Sequence, residues 1–288
     1  MLLIKNIFIC RCAATAVFLF AFFLSGCRGI SIRPSEPAEE LSRREVIARL
    51  SEQTRFFTSI TDTKFSLRIV QEVDGKRERS PSVGGVLAFD SMLPGLWLRT
   101  ERLGQNIFTL RAHQDSFWLE LPDSREIITG SDRTYERMPQ LARPEEILLW
   151  FAPPHWLGLT RDNTAMKTTE EEYVFLVTLK GLPLRSVNVD RRGLHINSVT
   201  TYDILGQVHT NVTMERHRTV NGAVFPHRIV IERPLEGYEI TLRLGQPEFD
   251  RDFPEQAFLP RERPGWRHID LDRTEPTTPK GLEGLGVE

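Results

Sequence analysis

Between Glu39 and Phe57, the residues Leu41, Ile47, Leu50, Thr54 and Phe57 share one stripe at three- and four-residue steps, with Arg43, Arg44, Arg49, Glu52 and Arg55 on the remaining surface. That period predicts an amphipathic helix covering something apolar. A basic amphipathic helix can instead lie on a membrane, but Glu39, Glu40, Glu45 and Glu52 dilute its charge, so packing on a core is expected. After Thr61 the period falls to two: Phe65, Leu67 and Ile69 alternate with Lys64, Ser66 and Arg68, and Asp74-Gly75 supplies a hairpin turn. Strands are predicted over Val83–Phe89, Leu96–Arg102, Ile107–Ala112, Ser116–Leu121 and Glu126–Thr129. Their turns are Leu103-Gly104-Gln105-Asn106, His113-Gln114-Asp115 and Pro122-Asp123-Ser124. Short strands at this spacing imply a meander of sequentially paired antiparallel neighbours.

One segment interrupts the strands. In Arg143–Trp156, Pro144 at a first helical position precedes Glu145-Glu146 and the run Ile147-Leu148-Leu149-Trp150-Phe151, and Pro153-Pro154 stops it. A helix this apolar is expected to plug or cap the sheet. Strands resume at Tyr173–Leu179, Ser186–Val189, His195–Tyr202, Val208–His217, Val224–Glu232 and Tyr238–Leu244, with Asn221-Gly222 as the strongest hairpin signal. Residues 267–288 become rich in Asp, Glu, Thr, Pro and Gly, which predicts a disordered tail.

Ahead of these elements stand a short basic leader (Lys5, Arg11), the apolar run Ala13–Leu24 and the tetrad Leu24-Ser25-Gly26-Cys27. This is the pattern of a bacterial secretory signal ending in a lipobox. Residues 1–26 are then a signal peptide cut between Gly26 and Cys27, and Cys27 receives an N-acyl group and an S-diacylglycerol, acyl chains of the palmitate kind. The alternative is a signal-anchor helix, which needs about 20 apolar residues; Arg11 inside the run argues against it. Arg28 follows the cysteine where the enterobacterial sorting rule has aspartate for inner-membrane retention, so the outer membrane, facing the periplasm, is the expected address. Residues 27–38, with Pro34 and Pro37, read as a tether.

Composition narrows the chemistry. Cys10 and Cys12 fall in the leader and Cys27 is acylated, so disulfides, thiolate metal sites and cysteine nucleophiles are not expected. Loss of Lys5 and Arg11 moves the formal net charge from −2 to −4, and no nucleic acid partner is expected. Residues 39–266 show no Gly/Ser/Pro-rich linker and are read as one domain.

The order of elements resembles the LolA/LolB-like superfamily of bacterial envelope proteins. The resemblance rests on Ile60-Thr61-Asp62-Thr63-Lys64-Phe65 after the helix, then Gly85-Val86-Leu87-Ala88-Phe89, Leu93-Pro94-Gly95-Leu96-Trp97-Leu98-Arg99 and Asp115-Ser116-Phe117-Trp118-Leu119-Glu120-Leu121-Pro122. It continues through Val220–Ile229 and closes on Phe253-Pro254-Glu255-Gln256-Ala257-Phe258. It implies a mainly β fold with helices: a single curved antiparallel sheet forming an unclosed half-barrel, helices packed on the concave face, and an apolar cavity that takes acyl chains. Trp118, Leu148, Trp150, Phe151 and Trp156 are the candidate cavity or lid residues. The receptor member of the family presents an apolar leucine on a hairpin loop; Leu103 lies in a comparable turn, and Leu93 marks a second apolar loop.

Other candidates have plainer explanations. Gly-x-Ser-x-Gly, His-Glu-x-x-His and Gly-rich phosphate loops are absent from the sequence, and no catalysis, cofactor or metal is expected. His195, His209, His217 and His227 fall on successive predicted strands, most simply on a solvated face. Glu170–Glu172 and Arg191-Arg192 read as solvated turns, whereas Arg99, Arg102 and Arg111 are candidate contacts for lipid phosphate. The expectation is therefore an envelope lipoprotein holding a lipid or lipoprotein ligand in an apolar half-barrel. The alternative is an assembly role in which the sheet docks an envelope protein partner without carrying lipid.

Overall fold

In a computed structural model, residues 40–55, 58–73, 75–93, 95–131, 133–134, 154–220 and 223–273 are described. The leader, Gly26, Cys27, the tether, the run containing Leu148, Trp150 and Phe151, and the tail from residue 274 lie outside them. One helix, α1 (Arg43–Thr54), precedes β1 (Ser59–Val73), β2 (Lys76–Arg79), β3 (Val83–Asp90), β4 (Gly95–Arg102), β5 (Gln105–His113), β6 (Ser116–Leu121) and β7 (Glu126–Ser131). Then follow β8 (Thr164–Thr168), β9 (Glu172–Leu179), β10 (Leu182–Asp190), β11 (Ile196–Tyr202), β12 (Val208–Val220), β13 (Ala223–Arg233), β14 (Tyr238–Arg243), β15 (Pro247–Phe249) and β16 (Arg267–Asp270).

The strands form a single sheet in the order β16-β7-β6-β5-β4-β3-β1-β14-β13-β12-β11-β10-β9-β8, with β2 and β15 also paired to β1. Its margins, β16 and β8, do not meet, so the sheet is an unclosed half-barrel. Nearly every neighbour is antiparallel, because the connections are hairpins too short for a crossover. The registers agree with the predicted hairpins: Val73 faces Lys76, Val220 faces Ala223, and Arg102 faces Gln105 across Leu103-Gly104.

Strand β1 is the seam. It pairs with β3 and β2 on one side and with β14 and β15 on the other, and its register shifts between Asp62 and Phe65. At that bulge the fully buried Asp62 carboxylate accepts backbone N–H groups from Lys64 (2.7 Å), Gly245 (2.6 Å) and Gln246 (3.3 Å), which satisfies donors that the break between β14 and β15 would leave orphaned. Opposite the bulge, Gly85 passes so close to the Arg99 carbonyl that an added Cβ would run into it.

Helix α1 starts on a capping box: Ser42 accepts from the Glu45 N–H and the Glu45 carboxylate accepts from the Ser42 N–H at 2.7 Å. It buries Val46 and Leu50, with Leu41 just ahead of it, in the same cluster as Tyr173, Phe175, Val187, Val212, Phe225 and Ile229. Each such side chain contributes about 1.5–3 kcal/mol. The predicted stripe omitted Val46, which is fully buried.

The tail differs from expectation. Arg267–Asp270 does not begin a disordered segment but forms β16, the sheet's one parallel pairing among the described residues, against β7. Leu271 is buried, Thr129 receives the Leu271 N–H at 2.9 Å, and the Asp272 carboxylate accepts from the Thr134 hydroxyl at 2.7 Å. Composition marked this stretch as too polar to fold alone; pairing with a neighbouring strand supplies what its own side chains lack.

Candidate functional site

Alternation along the strands sorts the side chains onto two faces. The inner face carries Phe65, Leu87, Leu98, Phe175, Val187, Val212, Ile229 and Leu242, and α1 packs on it. The Leu41 N–H donates to the Tyr173 hydroxyl at 3.0 Å, and Arg43 donates to the carbonyls of Leu159 (3.1 Å) and Arg161 (2.5 Å), tying the helix to the β8–β10 margin. Beneath it remains a cavity of about 50 Å³, lined by Leu50, Gln53, His195, Met214, His217 and Phe225 among others. Ligand pockets run from about 300 Å³ upward, so this gap holds no acyl chain.

On the other half the inner face is less covered. Phe108, Leu110 and Ala112 of β5 touch both the main core and the smaller cluster of Phe117, Leu121, Ile128 and Leu271, yet they are only half-buried, as is Leu119 of β6. This apolar strip lies toward the β16 margin, and the strand that follows β7 in sequence, β8, forms the opposite margin.

The outer face of the same half is covered by the chain between β15 and β16. Fully buried Phe258 sits over Gly95, where an added Cβ would come within 2.5 Å of its ring. Beside it the Arg111 guanidinium pairs with the Glu120 carboxylate, which also accepts from Arg263 at 3.0 Å, and His113 meets Glu255 at 3.1 Å. Burial lowers the Arg111 pKa, and the Glu120 carboxylate opposes that shift.

The sequence candidates therefore separate. Trp118 does not line the inner face: it stands opposite Arg111 and Thr129 on the outer face, because its parity with Glu120 and not with Leu119 decides its side. Arg111 is consumed by Glu120 and Arg99 by Glu101 at 2.7 Å, so neither is a free phosphate contact. Trp156 is 38% exposed in a turn, its carbonyl accepting from Arg185 at 3.0 Å. Leu93 is half-buried in the β3–β4 turn, where its N–H donates to Asp90 at 3.0 Å. Leu148, Trp150 and Phe151 lie outside the described residues.

Nor do the histidines share one face as solvated residues. The rings of His195 and His217 meet at a 45° tilt with centroids 3.9 Å apart under α1, while His227 sits against Phe225 and the Leu244 carbonyl. His217, which alternation with Glu215 would turn outward, lines the inner cavity; Arg216 beside it has a left-handed backbone (φ 56°) that breaks the alternation. Among the described residues no group of three His, Cys, Asp or Glu side chains is placed to hold a metal ion. Arg191 lies over the Tyr173 ring at 5.5 Å and donates to the Thr169 carbonyl, and Glu172 accepts from Asn188 and Asn197, so both turns are structural.

Leu103 stands apart. It is 96% exposed at the β4–β5 tip with φ 50°, a left-handed conformation that costs an L-residue about 1–2 kcal/mol. The strand directions put it at the same end of the sheet as the β9–β10, β11–β12 and β13–β14 tips, where Leu179, Leu182, Ile204, Leu205 and Leu235 are also exposed. The sequence reading missed this rim. Its signal was present: leucine or isoleucine in hairpin tips where turn chemistry asks for Gly, Asn or Asp.

No protein-family model matches the chain, and no curated protein matches it either. Solved structures do. A DUF1329 family protein from Desulfovibrio piger superposes with a TM-score of 0.55 at 13% identity, covering 75% of this chain and 95% of its own. A putative outer membrane lipoprotein-sorting protein domain from Vibrio parahaemolyticus gives 0.54 at 14%, covering 74% and 94%. A LolA superfamily protein from Nitrosomonas europaea gives 0.51 at 13%, covering 77% and 99%. Identity this low carries the fold alone, and on that ground, with an open antiparallel sheet against which the amphipathic helix α1 packs, the chain has the LolA/LolB-like fold.

Proposed function

We propose that this protein is an outer-membrane lipoprotein facing the periplasm, and that it holds an acyl chain or the acylated end of another lipoprotein against the inner face of its half-barrel. One observation carries the reading: the half-buried apolar strip of Phe108, Leu110, Ala112 and Leu119 lies between two packed clusters on the inner face. Aliphatic and aromatic side chains with no polar group to satisfy suit a hydrocarbon chain, at about 25 cal/mol per Å² of apolar surface removed from water. The stretch Ile147–Phe151, which follows β7 and precedes β8 in the sequence, is the proposed cover. The exposed rim around Leu103 is the proposed contact for the membrane surface or the incoming lipoprotein, since an apolar side chain in a strained, fully solvated turn adds nothing to folding. Acylation of Cys27 makes the protein a stationary acceptor, tethered to one membrane. The role is binding, with no catalysis.

The test is lipid extraction and native mass spectrometry of the purified full-length protein. Acyl species bound beyond those attached at Cys27, lost on Leu110→Asp, support the proposal; a protein that is consistently empty overturns it. Replacing Cys27 with alanine should move the folded protein out of the membrane fraction, and an unchanged distribution would remove the anchor from the proposal.

A further inference from the structure

On the outer face, away from the apolar strip, the seam strand β1 and its neighbours enclose a groove of about 210 Å³ into which Arg68, Arg77, Arg79, Arg228 and Arg243 project together. The sheet registers explain the convergence. Arg243 lies directly opposite Ser66 on β1 and Arg228 on β13, Arg68 lies opposite Thr241, and Arg79 lies opposite Val70. Arg77 reaches across β1 to Glu239 on β14 at 3.0 Å, and Arg228 pairs with Glu215 at 2.5 Å. Arg68, Arg79 and Arg243 have no carboxylate partner among the described residues. The groove therefore holds a surplus of positive charge, with the hydroxyls of Ser66, Ser82 and Thr241 in its lining.

Folding alone gives no reason for this arrangement. Like charges directly opposite in an antiparallel pair are destabilising, and Arg228 faces Arg243 in that way. Guanidinium groups are planar, permanently charged forks that match phosphate oxygens bidentately. The low-dielectric sheet beneath focuses their field into the groove. We propose that this groove is a binding site for a phosphate-bearing anion of about diphosphate size, presented either as a lipid headgroup or as a free phosphate compound. Arg68 and Arg243 would clamp it from the floor, with Arg79 closing from the β2 hairpin. The site stands independently of the acyl-chain proposal, because it lies on the opposite face of the sheet.

Isothermal titration of the full-length protein, held in neutral detergent micelles at low ionic strength, with sodium pyrophosphate tests the site. Saturable binding is expected, reduced at least tenfold in Arg68→Gln/Arg243→Gln and unchanged in Arg44→Gln, a control on the exposed side of α1. Without anion, the double variant should melt at the same temperature as wild type or above it, because a like-charge pair has been relieved. The charge-preserving Arg68→Lys/Arg243→Lys should bind at an intermediate level, which separates bidentate recognition from charge alone. Micelles doped with phosphatidic acid distinguish the two sources. Displacement of pyrophosphate at a tenfold lower concentration of the lipid identifies a headgroup site, and failure to displace it identifies a site for soluble phosphate. No binding of pyrophosphate, or an equal loss in Arg44→Gln, overturns the proposal.

Discussion

The residues that set the working of this fold are polar groups placed where the sheet breaks its own rules. Asp62 collects three backbone N–H groups at the β1 bulge, and Arg216 turns His217 inward by leaving the extended conformation. The consequence for His217 is measurable. Burial lowers both ring pKa values, and the neighbouring His195 ring helps hold His217 at about 4, against 6.5 for an ordinary histidine. The unfolded chain takes up protons near pH 6.5 that the folded chain refuses until about 4. Stability from this site is therefore present above pH 6.5 and is lost as the pH falls from 6.5 to 4. Urea midpoints over that range should fall less steeply in His217→Phe than in wild type; parallel curves would show that His195 and His217 do not titrate as a buried pair.

At the scale of elements, two segments that are not central strands decide which faces of the sheet are dry. Helix α1 closes the inner face over β8–β14 and leaves the β5–β6 strip half-covered. The chain from Phe253 to Arg263 closes the outer face over β4–β6 and buries Glu120 between Arg111 and Arg263. Its anchor is Phe258, seated where Gly95 leaves no side chain. Phe258→Ala should cost about 3–5 kcal/mol in chemical denaturation and open this segment to proteolysis at Arg261 and Arg263. A variant cut no faster than wild type would mean that the ion pairs, and not the ring, hold the segment down.

For the whole molecule, the open half-barrel separates three surfaces: an apolar strip inside, an arginine groove outside and an apolar rim along one end. At the rim the proposed contact is set against stability, because Leu103 occupies a left-handed backbone position that asparagine tolerates better. Leu103→Asn should raise thermal stability, by up to about 1 kcal/mol, while weakening association with lipid vesicles. A variant that is more stable and still associates fully would show that the rim is not a contact surface. Among the described residues no helix is long and apolar enough to cross a membrane; the proposal assigns attachment to Cys27 and contact to the rim.

Much of this architecture is legible in the chain by itself, because a period of two with turn residues every few positions is a local property, and antiparallel hairpins turn local order into spatial order. The helix from Arg43, the strands from Val83 to Leu121 and the pairing of β1 with β2 and of β12 with β13 follow from that pattern. The LolA/LolB-like order of elements follows as well. What the pattern could not supply is whatever depends on a partner distant in sequence. Strand β16 exists because β7 offers it an edge 141 residues away. Trp118 falls outside because the registers of β5, β6 and β7 set it opposite Arg111 and Thr129. The groove arginines, scattered from Arg68 to Arg243, meet only because β1 pairs with strands from both ends of the domain. Local periodicity fixes elements; which faces become dry, and which charges converge, is decided by long-range pairing that only the folded sheet completes.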